Sequence, residues 1–126
     1  MKYVLDASAV LALLAREPGH ERVEESLADA AICSVNFVEV GTRLIDSGLS
    51  VEEMTETTRL LGVQVIAFDE PLALAAAALR SKTRNAGLSL ADRACLALAL
   101  REDAVAITAD KAWDRVDVGC AVEQLR

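Results

Sequence analysis

Four acidic residues stand out from apolar or patterned surroundings. Asp6 follows Tyr3-Val4-Leu5, Glu39 interrupts Val35-Asn-Phe-Val-Glu39-Val, Asp92 closes Ser89-Leu-Ala-Asp92, and Asp110 follows the run Ala104 to Thr108. Brought together, four carboxylates repel one another unless cations neutralise them. Hard oxygen ligands of this kind suit Mg²⁺ or Mn²⁺, which retain waters and bind substrate phosphates. Two such ions can activate a water and stabilise the leaving oxygen of a phosphodiester.

Each residue also has an ordinary structural reading. Asp6 and Asp110 suit N-caps of helices that follow strands. Ser89-x-x-Asp92 is a capping-box pattern. Glu39 precedes Arg43 by four residues, the spacing of an ion pair on a helix surface. Asp114, one turn after Asp110, reads as solvated. The single histidine, His20, lies in the charged stretch Glu17 to Glu25 and reads as a surface residue. With one histidine, a His-based triad or a zinc hydrolase has little support. Cys33, Cys95 and Cys120 are odd in number and lack CxxC spacing, so reduced, buried thiols are expected.

Short apolar runs alternating with longer helical patterns must position these residues. Strands are expected at Tyr3–Leu5, Ala31–Cys33, Val63–Phe68, Ala104–Thr108 and Gly119–Val122, with Val63–Phe68 the clearest. Helices are expected over 8–15, 20–29, 35–45 (closed by Gly48), 50–62 behind the box Ser50-Val-Glu-Glu53, 71–87, 89–101 and 110–116. In the 71–87 helix, the Ala-rich part from Leu72 to Leu79 reads as core. Strands separated by helices form a parallel sheet with right-handed crossovers, hence a three-layer α/β/α domain of about five short strands, one domain over residues 1–126. Ligands in such sheets bind beyond the carboxyl ends of the strands, where strand order reverses. Asp6 and Asp110 fall on that edge, and Asp92 opens the helix leading into the Asp110 strand.

The chain has 126 residues with 53% hydrophobic and 3% aromatic content, so its apolar mass is Ala, Leu and Val. Its 13.4 kDa mass scales to a folded surface of about 6,500 Å², against about 19,000 Å² unfolded. That is enough burial for one core, and the 53% hydrophobic content excludes intrinsic disorder. The net charge of −7 (13 basic, 20 acidic) disfavours nonspecific adhesion to nucleic acid. A nucleic-acid function then needs bound cations or local basic patches. Arg80, Lys82, Arg84 and Arg93 against Asp92 alone make one such patch, a candidate rim for a phosphate backbone. Asp6 breaks the apolar start, no stretch reaches membrane-span length, and a cytoplasmic protein without membrane contact is expected.

Four segments together resemble the PIN-domain family, closest to its VapC-type toxins of bacterial toxin–antitoxin pairs. They are Leu5-Asp6-Ala-Ser8-Ala, Ser34-Val-Asn-Phe-Val-Glu39-Val, Gly87-Leu-Ser-Leu-Ala-Asp92-Arg-Ala-Cys-Leu-Ala and Ile107-Thr-Ala-Asp110-Lys-Ala-Trp113, in the family's order along nearly the whole chain. The resemblance implies Asp6, Glu39, Asp92 and Asp110 as an acidic quartet holding Mg²⁺ or Mn²⁺, with Ser8 a supporting hydrogen-bond donor. It implies a metal-dependent endoribonuclease that hydrolyses RNA by a two-metal mechanism, a homodimer, and inhibition by a small antitoxin whose tail enters the acidic groove. None of the four positions is substituted.

Three other designs fit less well. A receiver-like phosphoacceptor domain would use Asp69 and Lys111, but it needs an acidic pair after the first strand, where Asp6 is followed by Ala-Ser. It also leaves Glu39 and Asp92 without roles. A haloacid-dehalogenase-like phosphatase needs Asp-x-Asp where this chain has Asp6-Ala-Ser8. A non-catalytic module of the PIN fold would not require the intact quartet.

Overall fold

A computed structural model describes residues 1–126. The chain runs β1 (Tyr3–Leu5), α1 (Ala7–Leu14), α2 (His20–Ser26), β2 (Ala30–Cys33), α3 (Ser34–Asp46), α4 (Val51–Leu61) and β3 (Gln64–Ile66). It continues with α5 (Glu70–Ala78), α6 (Arg80–Thr83), α7 (Leu90–Glu102), β4 (Val105–Thr108) and β5 (Val122–Gln124). Single 3₁₀ turns cover Leu27–Asp29, Arg84–Ala86 and Lys111–Arg115.

The five strands form one parallel sheet in the order β3-β2-β1-β4-β5. The chain moves outward from β1 to β3, then returns to place β4 on the other side of β1. The order therefore reverses between β1 and β4, which opens the crevice used by ligands in such sheets.

Side-chain alternation along the strands feeds two cores, as the pleat requires. Val4, Cys33 and Ala106 face α5 and α7, joining Leu72, Ala76, Leu96, Leu98 and Trp113. Leu5, Ile32 and Ile107 face the other way, against Ala9, Val10, Val23 and Val40 of α1, α2 and α3. Helices on both faces make the expected α/β/α sandwich. Its surface of 6664 Å² agrees with the value that mass alone suggests.

Three expectations need correction. Val63–Phe68 shortens to Gln64–Ile66, an edge strand with Val65 42% exposed. An apolar run does not reveal that a strand has only one neighbour. The helix expected over 71–87 breaks at Leu79, where Arg93 Nη1 donates 3.1 Å to the Ala76 carbonyl. That bond competes for the acceptor a continuous helix reserves for Arg80. The last strand begins at Val122 rather than Gly119, because Asp117 accepts from the Gly119 N–H at 3.2 Å and holds a turn there.

Within α5, Leu72 and Ala76 are buried as expected of core, while Leu74 is 66% exposed. Cys33 and Cys95 are buried free thiols, and Cys120 is only partly covered. No helix is long and apolar enough to cross a membrane.

Candidate active site

Asp6 is the first residue beyond β1 and takes an extended conformation as it caps α1. Its Oδ1 accepts from the Ala9 N–H at 2.9 Å and from Ser8 Oγ at 2.7 Å. Its Oδ2 accepts from Thr108 Oγ1, the end of the neighbouring strand β4, at 2.5 Å. The network continues: Ser8 Oγ accepts from the Ala109 N–H at 2.9 Å, and Thr108 Oγ1 accepts from the Asp110 N–H at 3.0 Å. Asp6 is only 4% exposed. Burial pushes its carboxyl up to about 6, the hydrogen bonds oppose that rise, and the Asp92 charge adds a little to it.

Asp110 caps the 3₁₀ turn after β4, its Oδ1 accepting from the Ala112 N–H at 2.9 Å. Asp92 lies in the first turn of α7, where its Oδ2 accepts from the Ser89 N–H at 2.9 Å and Ser89 Oγ accepts from the Asp92 N–H. In both residues the second carboxylate oxygen accepts no hydrogen bond from protein. The capping readings of Asp6, Asp92 and Asp110 are thus correct, and none of them removes the residue from the site. A cap uses part of a carboxylate and orients the remainder.

Glu39 sits on α3, which packs against α7. Asn36, 1% exposed, donates through Nδ2 to the Ala91 carbonyl at 3.1 Å and to Glu39 Oε1 at 3.4 Å. This amide joins the two helices and holds Glu39 beside Asp92. Partial burial raises the Glu39 carboxyl, and the charge of Asp92 raises it further. The Glu39–Arg43 ion pair expected from spacing is absent; neither residue joins any ion pair.

All four acidic residues line one cleft of about 380 Å³, together with Ser8, Val38 and Arg43. Every metal-capable donor in it is an oxygen. No three His, Cys, Asp or Glu side chains stand close enough to grip one ion jointly. The oxygen-only donor set suits Mg²⁺ or Mn²⁺, which bind through one or two carboxylates and keep several waters. It does not fit a closed zinc cage.

Other sequence candidates lie elsewhere or act differently. Asp69 caps α5 and pairs with Arg101 at 3.6 Å, beside an edge strand and outside the cleft. His20, expected on the surface, is half-buried beside Leu13, Leu27 and Leu60 in a separate depression. Arg80, Lys82 and Arg84 are exposed and form no ion pair, and the 3₁₀ turn that begins at Arg84 packs against the one that follows Asp110. Arg93 does not join them, because it turns inward to Ala76.

Two contributors escaped sequence reasoning. Thr108 offered only its place two residues before Asp110, and Asn36 only its place one turn before Glu39. Both act through bonds to distant segments.

The sequence matches the PIN domain family over residues 3–119. Among solved structures, the fold resembles DNA-bound VapBC from Salmonella typhimurium, with TM-score 0.78, 16% identity, and coverage of 100% of this chain and 99% of that chain. It also resembles VapBC2 from Rickettsia felis bound to a DNA fragment from their promoter, with TM-score 0.76, 20% identity and 98% of each chain covered. A toxin–antitoxin complex from Klebsiella pneumoniae gives TM-score 0.74 at 19% identity, covering 99% of this chain and 98% of that one. No curated protein matches the sequence significantly.

Proposed function

Because the chain belongs to the PIN-domain family, we propose that it is a Mg²⁺- or Mn²⁺-dependent endoribonuclease, the VapC-type toxin of a toxin–antitoxin pair. The observation that carries this reading is the convergence of Asp6, Glu39, Asp92 and Asp110, from four separate segments, on one cleft. Asp6, Asp92 and Asp110 would hold the divalent cations, and Glu39 would complete the site or orient the attacking water. The bound ions supply Lewis acidity to a phosphodiester and to a water, by a two-metal mechanism.

The remaining work belongs to the chain's own groups. Thr108 and Ser8 donate to Asp6 and favour its ionised form against the cost of burial. Asn36 keeps Glu39 facing Asp92. Water adds across the phosphorus–O3′ bond and leaves a 5′-phosphate and a 3′-hydroxyl, so no side-chain nucleophile is required. The unpaired Arg80, Lys82 and Arg84 provide a basic margin for an RNA backbone despite the net negative charge.

The likeness to toxin–antitoxin complexes supports an antitoxin partner. An apolar groove of about 400 Å³ between α3 and α4, lined by Phe37, Val38, Ile45 and Met54, adjoins the acidic cleft through Val38. It suits an amphipathic helix whose tail continues into the cleft. A cytoplasmic homodimer completes the proposal.

The test is cleavage of a mixed RNA pool with Mg²⁺ or Mn²⁺ by the wild-type protein and by Asp92→Asn. Metal-dependent cutting that disappears in the folded variant is the expected result. Equal cutting by both proteins would overturn the quartet assignment.

A further inference from the structure

The acidic cleft does not end at its carboxylates. Ser8, Leu11 and Arg43 line both it and a larger cavity of about 630 Å³ that continues between α1 and α3. Arg43 is the one cation lining the cleft, and it stands on the wall shared by the two spaces. Glu39 and Asp46 lie one turn to either side, yet Arg43 pairs with neither. Its guanidinium forms no side-chain hydrogen bond within the protein, so its whole fork of N–H donors remains available. Beyond it, Leu11, Leu14 and Leu44 form an apolar wall. At the far side Arg126 is already engaged, with Pro18 O at 3.2 Å and Glu17 at 3.5 Å.

We propose that this second cavity is a nucleotide subsite. An RNA strand cut in the acidic cleft runs past Arg43, which holds the phosphate next to the scissile one, and the flanking nucleoside lies against Leu11, Leu14 and Leu44. The assignment rests on the ribonuclease reading and extends it to the strand's path. A strand threaded through four carboxylates needs a cation for its neighbouring phosphate, and a guanidinium fork fits a phosphate in two-pronged fashion. An apolar wall beside that cation suits an unpaired base leaving water. The cavity's volume falls in the range of small-ligand sites. A basic protein tail seated at the carboxylates would be repelled by Arg43 from going on into the second cavity, so RNA is the favoured occupant there.

The experiment measures binding of a fluorescent single-stranded RNA of mixed sequence across a salt series, with Mg²⁺ present. Asp92→Asn protein serves as the non-cutting parent, compared with the same protein carrying Arg43→Ala or Arg43→Lys. Arg43→Ala is expected to weaken binding about tenfold and to reduce the slope of log affinity against log salt by about 0.7, one single-strand phosphate contact. Arg43→Lys is expected to keep the slope and lose part of the affinity. A parent that binds no RNA would overturn the ribonuclease reading and the subsite together. A parent that binds RNA, with affinity and slope unchanged in Arg43→Ala, would overturn the subsite alone and leave Arg43 to a protein partner.

Discussion

Thr108 Oγ1 donates to Asp6 Oδ2 at 2.5 Å across 102 residues of sequence, tying the ends of β1 and β4 where the strand order reverses. The same oxygen accepts from the Asp110 N–H at 3.0 Å. One hydroxyl therefore sets the spacing of two of the four acidic residues. Thr108→Val keeps the shape and removes both roles. It is expected to cost about 1–3 kcal/mol in denaturant unfolding, the usual cost of stranding a buried acceptor. Divalent-cation affinity, read by titration calorimetry, is expected to fall as the Asp6 carboxyl rises further. Unchanged affinity would show that Asp6 does not need this donor.

Asp6 also makes cation-free stability depend on pH. Its carboxyl goes from an ordinary 3.8 to about 6 in the folded protein. Between those values the folded state holds a proton that the unfolded chain has released, so stability falls as pH rises through the window. At about 1.4 kcal/mol per unit, the decline from pH 4 to pH 7 reaches at most about 3 kcal/mol. Asp6→Asn is expected to lack this component, so with chelator present its stability relative to wild type improves from pH 4 to pH 7. Parallel pH profiles for the two proteins would contradict it.

Capping and catalysis separate at the start of α7. Ser89→Ala removes the acceptor for the Asp92 N–H and is expected to cost about 1 kcal/mol. Its cleavage rate is expected to stay within a few fold of wild type. Asp92→Asn keeps an oxygen able to accept from the Ser89 N–H and is expected to change stability by about 0.5 kcal/mol or less. Its cleavage rate is expected to drop by about 100-fold or more, in line with losing a transition-state electrostatic contact. Melting curves beside rate measurements distinguish the two effects.

Gly19 permits the entry into α2. Its φ is +95°, and an added Cβ would lie 2.8 Å from the Leu125 carbonyl oxygen. Gly19→Ala is expected to destabilise the fold by about 1–3 kcal/mol through backbone strain and the clash. The residue lies outside both the cleft and the adjoining cavity, so catalytic constants of the folded fraction are expected to stay unchanged.

The amino-acid pattern made the alternation of strands and helices legible, because apolar runs and caps such as Ser50 with Glu53 and Ser89 with Asp92 are local signals. It also marked the four acidic residues, since a charge at a strand end or inside an apolar helix face is visible without coordinates. Tertiary structure alone decided that β3 is an edge, that Arg93 turns inward to Ala76 and that Arg43 stays unpaired beside Glu39. It alone brought Thr108 to Asp6 and Asn36 to Ala91. Periodicity reports which face of an element is apolar, and it carries nothing about which neighbour that face meets. A hydrogen bond between segments a hundred residues apart depends on strand order and register, which arise only when the sheet assembles.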